Sequence, residues 1–166
     1  MDEAQFWSMI EDAWQAVGGK TKVRQKLASG KLSEDQAESL MEAFEEVIPA
    51  LRESLAGLTQ DDLLKFDRIL ERKLYDIDRA EIQERTDGSD DGFLYARGFI
   101  VAAGEGYYDA VNAQPSIALT DLECEEICYL SFEVYSEKFG EMPPSEICRE
   151  SCSNQAAWPD LNNSQE

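Results

Sequence analysis

"DDLLKFDRILERKLYDIDRAEIQERT", Asp61 to Thr86, carries the reading of the fold. Leu63, Phe66, Ile69, Leu70 and Leu74 recur three and four residues apart, the spacing that puts side chains on one face of an α-helix. Asp61 and Asp62 fall in the first turn, where the helix dipole favours negative charge. The pattern predicts one long helix ending near Thr86. Acids and bases on its other face keep no steady four-residue register, which marks a solvated surface and not an ion ladder.

The same period extends in both directions. Phe6, Trp7, Ile10, Trp14 and Val17 make an opening helix that Gly18 and Gly19 stop. A short basic helix follows to Leu27 and ends near Gly30. "SEDQ", Ser33 to Gln36, is a capping box for a helix carrying Leu40, Phe44, Val47, Ile48, Leu51 and Leu55. Pro49 is expected to kink or interrupt that helix, because it has no amide for the carbonyl of Glu45. Beyond "DGSDDG" a helix is predicted from Phe93 to Val111. "TDLE", Thr120 to Glu123, reads as a second capping box, for a helix ending at Gly140. Pro143 and Pro144 form a stiff link, and Ser145 is expected to cap a short helix holding Ile147, Cys148 and Cys152. The tail from Trp158 reads as frayed. No segment shows the two-residue alternation of a strand. The expectation is an all-α fold, a single compact helical domain of five to seven helices. Residues 1–143 form its body, and 144–166 a cysteine-bearing helix and acidic tail packed on it.

Charge limits the function. The 166 residues hold 35 acids and 15 bases, a net charge of −20, so the surface repels phosphate backbones and direct nucleic-acid binding is disfavoured. A basic protein partner suits such a surface, or self-association. Lys20, Lys22, Arg24, Lys26 and Lys31 form a basic stretch with no acid between them. It is placed to dock on the chain's own acidic face or on that of a second copy. The acidic start "MDEAQFWSMIEDAW" lacks the charge and apolar run of a signal peptide, and no stretch has the length of a membrane span. A cytoplasmic location is expected. With no histidine in the chain, Ser-His-Asp and Cys-His chemistry and every His-bearing zinc site are excluded.

Two clusters draw chemical interest. Asp87, Ser89, Asp91 and Gly92 imitate the first positions of a calcium loop, but Gly98 stands where the bidentate Glu belongs. A helix cap is the simpler reading: Ser89 or Asp90 accepts the free amides opening the Phe93 helix. Arg97 shares a face with Phe93, Ile100 and Gly104, so it needs a partner, and Asp90, Asp91 or Glu126 are the candidates. These four residues make either a structural ion pair, which is favoured, or a small polar ligand site. Paired carboxylates also suit acid/base work, but no nucleophile or electron sink accompanies them. The second cluster is Cys124-x₃-Cys128 with Cys148-x₃-Cys152. Reduced core thiols, two disulfides and a tetrahedral zinc site each fit that spacing, with thiols first.

Three blocks resemble one bacterial family. "FWSMIEDAW" from Phe6, "LRESLAGLTQDDLLKFDRIL" from Leu51 and "SDDGFLYARGFIVAAGEGYYDAV" from Ser89 are similar to segments of the DUF4240 family, over roughly residues 3–143. Ala96 and Phe99 depart from the family's aromatic and tryptophan, as in a divergent member. The resemblance implies no activity, since the family's role is undefined. A non-enzymatic binding or regulatory module for a protein partner is therefore the leading expectation. The alternatives are a ligand-binding protein or enzyme using Asp90, Asp91 and Arg97, or a domain held by zinc or disulfides.

Overall fold

Side-chain caps mark where four of the helices begin. In the computed structural model, which describes residues 1–86 and 89–158, Asp2 and Gln5 form a capping box on α1 (Glu3–Ala16). α2 (Thr21–Ala28) ends before Gly30, which takes a left-handed φ of 66°. α3 (Glu34–Ala56) opens at the Ser33–Gln36 box. Thr59 caps α4 (Gln60–Asp76), accepting the Asp62 amide at 3.2 Å. α5 (Ala80–Thr86) is short, and Ser89 caps α6 (Asp90–Ala102) through the Gly92 amide. α7 (Glu105–Ala113) and α8 (Glu125–Phe139) complete the set. No strand occurs among the described residues.

The fold is all-α, but the expected five to seven helices become eight α-helices among the described residues. Each difference has a local cause. The predicted helix through Thr86 breaks into α4 and α5 at Ile77–Arg79, where Asp78 turns inward and takes the amides of Cys152 and Asn154 at 3.1 and 2.9 Å. The predicted Phe93–Val111 helix breaks at Gly104, whose φ of 102° lies outside the helical region. The carbonyls released there are satisfied from afar: Trp14 Nε1 donates to Ala102 O at 2.8 Å and Arg24 Nε to Ala103 O at 3.0 Å. Thr120 caps nothing. Its hydroxyl donates to the carbonyl of Arg85, Asp121 turns left-handed at φ 58°, and α8 starts only at Glu125. The short helix after Pro144 does not form, because Ser145 donates to Glu71 and residues 145–154 run as turns and bends. Pro49 does not interrupt α3. The apolar face there, with Val47, Ile48 and Leu51 buried, holds the helix together across the missing bond.

α8 packs against α3, α4 and α6, and α1 closes the core against α3. α6 runs through the interior and buries Phe93, Leu94, Phe99, Ile100 and Val101. Edge-on aromatic contacts link the layers, with Trp14–Phe44 at 5.3 Å and Phe44–Phe99 at 5.4 Å. α6 and α8 meet at Gly98, where any Cβ would strike the Cys124 carbonyl oxygen and stand 2.6 Å from Cys128 Sγ. After α8 the chain returns across the molecule as a strap, residues 143–158, which is irregular up to a single 3-10 turn at Gln155–Ala157. It ends on Trp158, which is buried rather than frayed and donates from Nε1 to the Asp78 carbonyl at 3.1 Å.

Candidate functional site

Among the described residues, Asp91, Arg97 and Glu126 of the predicted cluster do not come together. Asp91 is exposed in the first turn of α6 and Glu126 is exposed in the first turn of α8. Asp87, Gly88 and the side chain of Asp90 lie outside the described residues. Arg97 is fully buried, as its helical face requires, but its partners are different. Nη1 donates to the Leu74 carbonyl at 2.8 Å, and Nη2 donates to the Arg149 carbonyl at 3.0 Å and to Ser151 Oγ at 3.2 Å. The guanidinium also lies 4.8 Å from the centre of the Phe93 ring. Burial pulls its pKa below the ordinary arginine value, and the negative charge of Asp78 opposes that pull. The two terminal nitrogens of Arg97 are thus held by backbone carbonyls at the end of α4 and on the strap and by the Ser151 hydroxyl, while its buried Nε makes no hydrogen bond among the described residues.

Those partners point to a buried polar seam between α4, α8 and the strap. Asp67 and Glu71, one turn apart on α4, are 1 % and 0 % exposed, which makes a charged partner obligatory. Arg149 of the strap is that partner. Its Nη2 lies 3.2 Å from both oxygens of Asp67 and 3.0 Å from Glu71 Oε1, and its Nη1 donates to the Cys128 carbonyl. Ser131 of α8 donates to Asp67 Oδ1 at 2.7 Å and fixes that carboxylate. Burial weakens the Arg149 cation, but the charges and hydrogen bonds of Asp67 and Glu71 outweigh it and hold its pKa above the ordinary value. Farther along the strap, Asp78, with no exposed surface, accepts the two backbone amides already named and the Trp158 indole at 3.2 Å.

Sequence reading missed Asp67, Glu71, Asp78 and Arg149. One signal was available: Asp67 and Glu71 sit four residues on from Leu63 and Asp67, within the stripe that also holds Phe66, Leu70 and Leu74. Acids on an apolar stripe call for a buried cation.

The four cysteines do not converge. Cys124 and Cys128 are buried on α8, Cys148 is exposed on the strap, and no disulfide links any of them. Among the described residues no group of three or more acids and cysteines is placed to hold a metal ion. Burial pushes the Cys128 thiol up to about 12 and the Cys124 thiol higher still, so both stay protonated at neutral pH.

Several hollows open on the surface away from the seam, two of them beside the charged faces. One, of about 150 Å³, is lined by Glu11, Arg24, Ala103 and Tyr107 and is smaller than the roughly 300 Å³ at which ligand pockets begin. The other, of about 340 Å³, lies between α3 and α8. Phe44, Ile48 and Pro49 form its apolar floor, and Glu45 and Glu126 stand at its rim. Around it Glu42, Glu46 and Glu53 of α3 and Glu133 and Glu137 of α8 are exposed. Arg52 bridges the two helices, with Nη1 at 3.1 Å from Glu133. The basic stretch is only partly spent on the chain's own acids. Arg24 pairs with Glu11 at 2.7 Å, while Lys22, Lys26 and Lys31 are exposed and no described contact pairs them.

The geometry defines an all-α domain in which one arginine of the strap, Arg149, is locked into an acidic seam, with an acidic, notched face on α3 and α8. Residues 1–137 match the family described as "Protein of unknown function (DUF4240)", and the chain belongs to that family. Asp67, Glu71, Asp78 and Arg97 lie inside the matched residues, whereas Arg149, Ser151 and Trp158 lie beyond them. No curated protein and no solved structure matches the chain. No helix among the described residues is long and apolar enough to cross a membrane.

Proposed function

We propose that the chain is a non-enzymatic binding module that docks its α3–α8 face on a basic protein partner. The observation that carries this reading is the notch of about 340 Å³ in which an apolar floor is rimmed by Glu45 and Glu126. A floor of Phe44, Ile48 and Pro49 takes an aliphatic side chain, and the rim pairs with flanking lysine or arginine. That combination gives a buried anchor inside a polar rim, the usual anatomy of a protein interface. The surrounding carboxylates steer a basic partner towards the notch, so association slows as salt is added. The alternative site on Asp90, Asp91 and Arg97 gains no support, because the Arg97 guanidinium is spent on carbonyls and Asp91 faces solvent.

The test is a titration of ¹⁵N-labelled protein with a short peptide of one leucine flanked by lysines and arginines. Amide shifts should concentrate on α3 near Pro49 and on the first turn of α8. The double reversal Glu45→Lys with Glu126→Lys should weaken binding by about tenfold or more. Binding that survives the reversal unchanged would rule the notch out. Dimerisation without peptide, lost in the same variant, would identify a second copy as the basic partner through its exposed α2 lysines.

A further inference from the structure

We infer that the cleft between α4 and α8 is a binding site for a peptide arginine, and that Arg149 fills it in cis as a removable occupant. The receptor half is built entirely from helices. Asp67 and Glu71 present their carboxylates from successive turns of α4, and Ser131 and the Cys128 carbonyl face them from α8. The acceptors suit a guanidinium. Its planar fork offers five donors, whereas an ammonium is a compact point charge that cannot reach them all. Arg97 adds a second reading head. Its Nη2 donates to the backbone carbonyl of Arg149 at 3.0 Å, so the same residue is held by its side chain and by its peptide group. A free guanidine satisfies the first contact alone, and an arginine within a chain satisfies both.

The occupant is held differently from the body. Pro144, Ser145, Glu146, Cys148 and Glu150 are exposed, and the strap forms no helix between Pro143 and Asn154. Its attachments are mostly polar: Ser145 and the Glu146 amide on Glu71, Arg149 on the carboxylate pair, and the Cys152 and Asn154 amides on Asp78. Cys152 sits at a left-handed φ of 65°, a conformation with no intrinsic preference outside glycine, so those amide contacts hold it there. Between Pro143 and Trp158, both buried, residues 144–151 have little buried apolar surface and many polar anchors, and such a segment opens before the core does. Arg149 also lies beyond residues 1–137, the part of the chain that matches the family. The carboxylate pair thus lies within the matched residues, and the cation that neutralises it comes from the strap beyond them. When the strap lifts, two buried carboxylates lose their counter-charge, and a partner's arginine is the group that restores it.

The experiment uses the full chain carrying Arg149→Ala, with methylguanidinium as the probe and methylammonium at equal ionic strength as the control. The variant should melt well below the wild type. Millimolar methylguanidinium should recover much of that loss in a saturable way, methylammonium should recover none, and the wild type should respond to neither. Equal recovery by both cations, or an equal response of the wild type, would overturn the site. A variant that does not fold leaves the decision to hydrogen exchange on the wild-type chain. Amides of residues 145–151 should exchange as one unit about tenfold or more faster than those of α4 and α8. Exchange of strap and helices at one common rate would show that the occupant is not removable.

Discussion

Two arginines and two cysteines show how far burial alone carries a residue. Arg97 and Arg149 are both enclosed, yet one ends with a lowered pKa and the other with a raised one. The difference is the partner: Arg97's terminal nitrogens meet neutral carbonyl dipoles, while two carboxylates neutralise Arg149. At Cys124 and Cys128 burial outweighs every compensating contact, including the charges of Arg97 and Arg149 near Cys128, and both remain neutral thiols in the α6–α8 contact. This sets the alkaline behaviour of the fold. Burial raises Cys128 from 9.0 to about 12 and Tyr107 from 10.0 to about 12, so the folded chain keeps protons that the unfolded chain gives up. Their stabilising contribution is complete below pH 9 and is lost as pH climbs from 9 towards 12. Urea midpoints should hold level from pH 7 to 8.5 and fall steadily above that range. In the native protein at pH 8, iodoacetamide should label Cys148 quickly and Cys124 and Cys128 only on unfolding. Rapid labelling of either buried thiol would show that α6 and α8 are not closed over it.

Helix contacts impose their own demand at the element scale, and glycine answers it. Gly98 lets α6 approach α8 until a methyl group has no room between Cys124 O and Cys128 Sγ. The blocking atoms are backbone and a buried thiol, neither of which can swing aside. Gly98→Ala should therefore cost about 1–3 kcal/mol through overpacking, against its gain in helix propensity. Gly106, in the first turn of α7, has open space where its Cβ would stand and no positive φ. Gly106→Ala should raise stability by about 0.5–1 kcal/mol. Chemical denaturation of both variants checks the pair. Equal effects at the two positions would mean that propensity, and not the close approach, governs Gly98. Helix starts at Ser33 and Ser89 were legible because a cap is a local bond within four residues. The breaks at Asp78 and Gly104 were not, since their compensating donors come from Cys152, Asn154, Trp14 and Arg24.

A net charge of −20 acts on the whole molecule. Folding concentrates those charges on one surface, so self-repulsion is greater in the native state than in the extended chain. Between 10 and 200 mM sodium chloride the screening length drops from about 30 Å to below 10 Å. The melting temperature should rise over that interval, because like charges across α3 and α8 then lose sight of one another. A falling melting temperature would mean that surface pairs such as Arg52 with Glu133 and Glu137 contribute more than the repulsion costs. The Arg149 seam lies below the surface and should respond little to salt.

The all-α class, the order of helices up to α4 and the burial of Arg97 were set by the sequence alone. Each rests on periodicity or on a cap, and both are relations between residues a few positions apart. Membership of the family was legible for the same reason, in three short blocks. The site was not. Asp67 and Glu71 stood in view on the α4 stripe, but Arg149 sits in a segment with no period, and its distance from Asp67 is a property of the folded chain. Tertiary structure decided that meeting. A buried carboxylate selects whichever cation the topology brings to it, and the energy of that pairing depends on three-dimensional burial that no local pattern encodes.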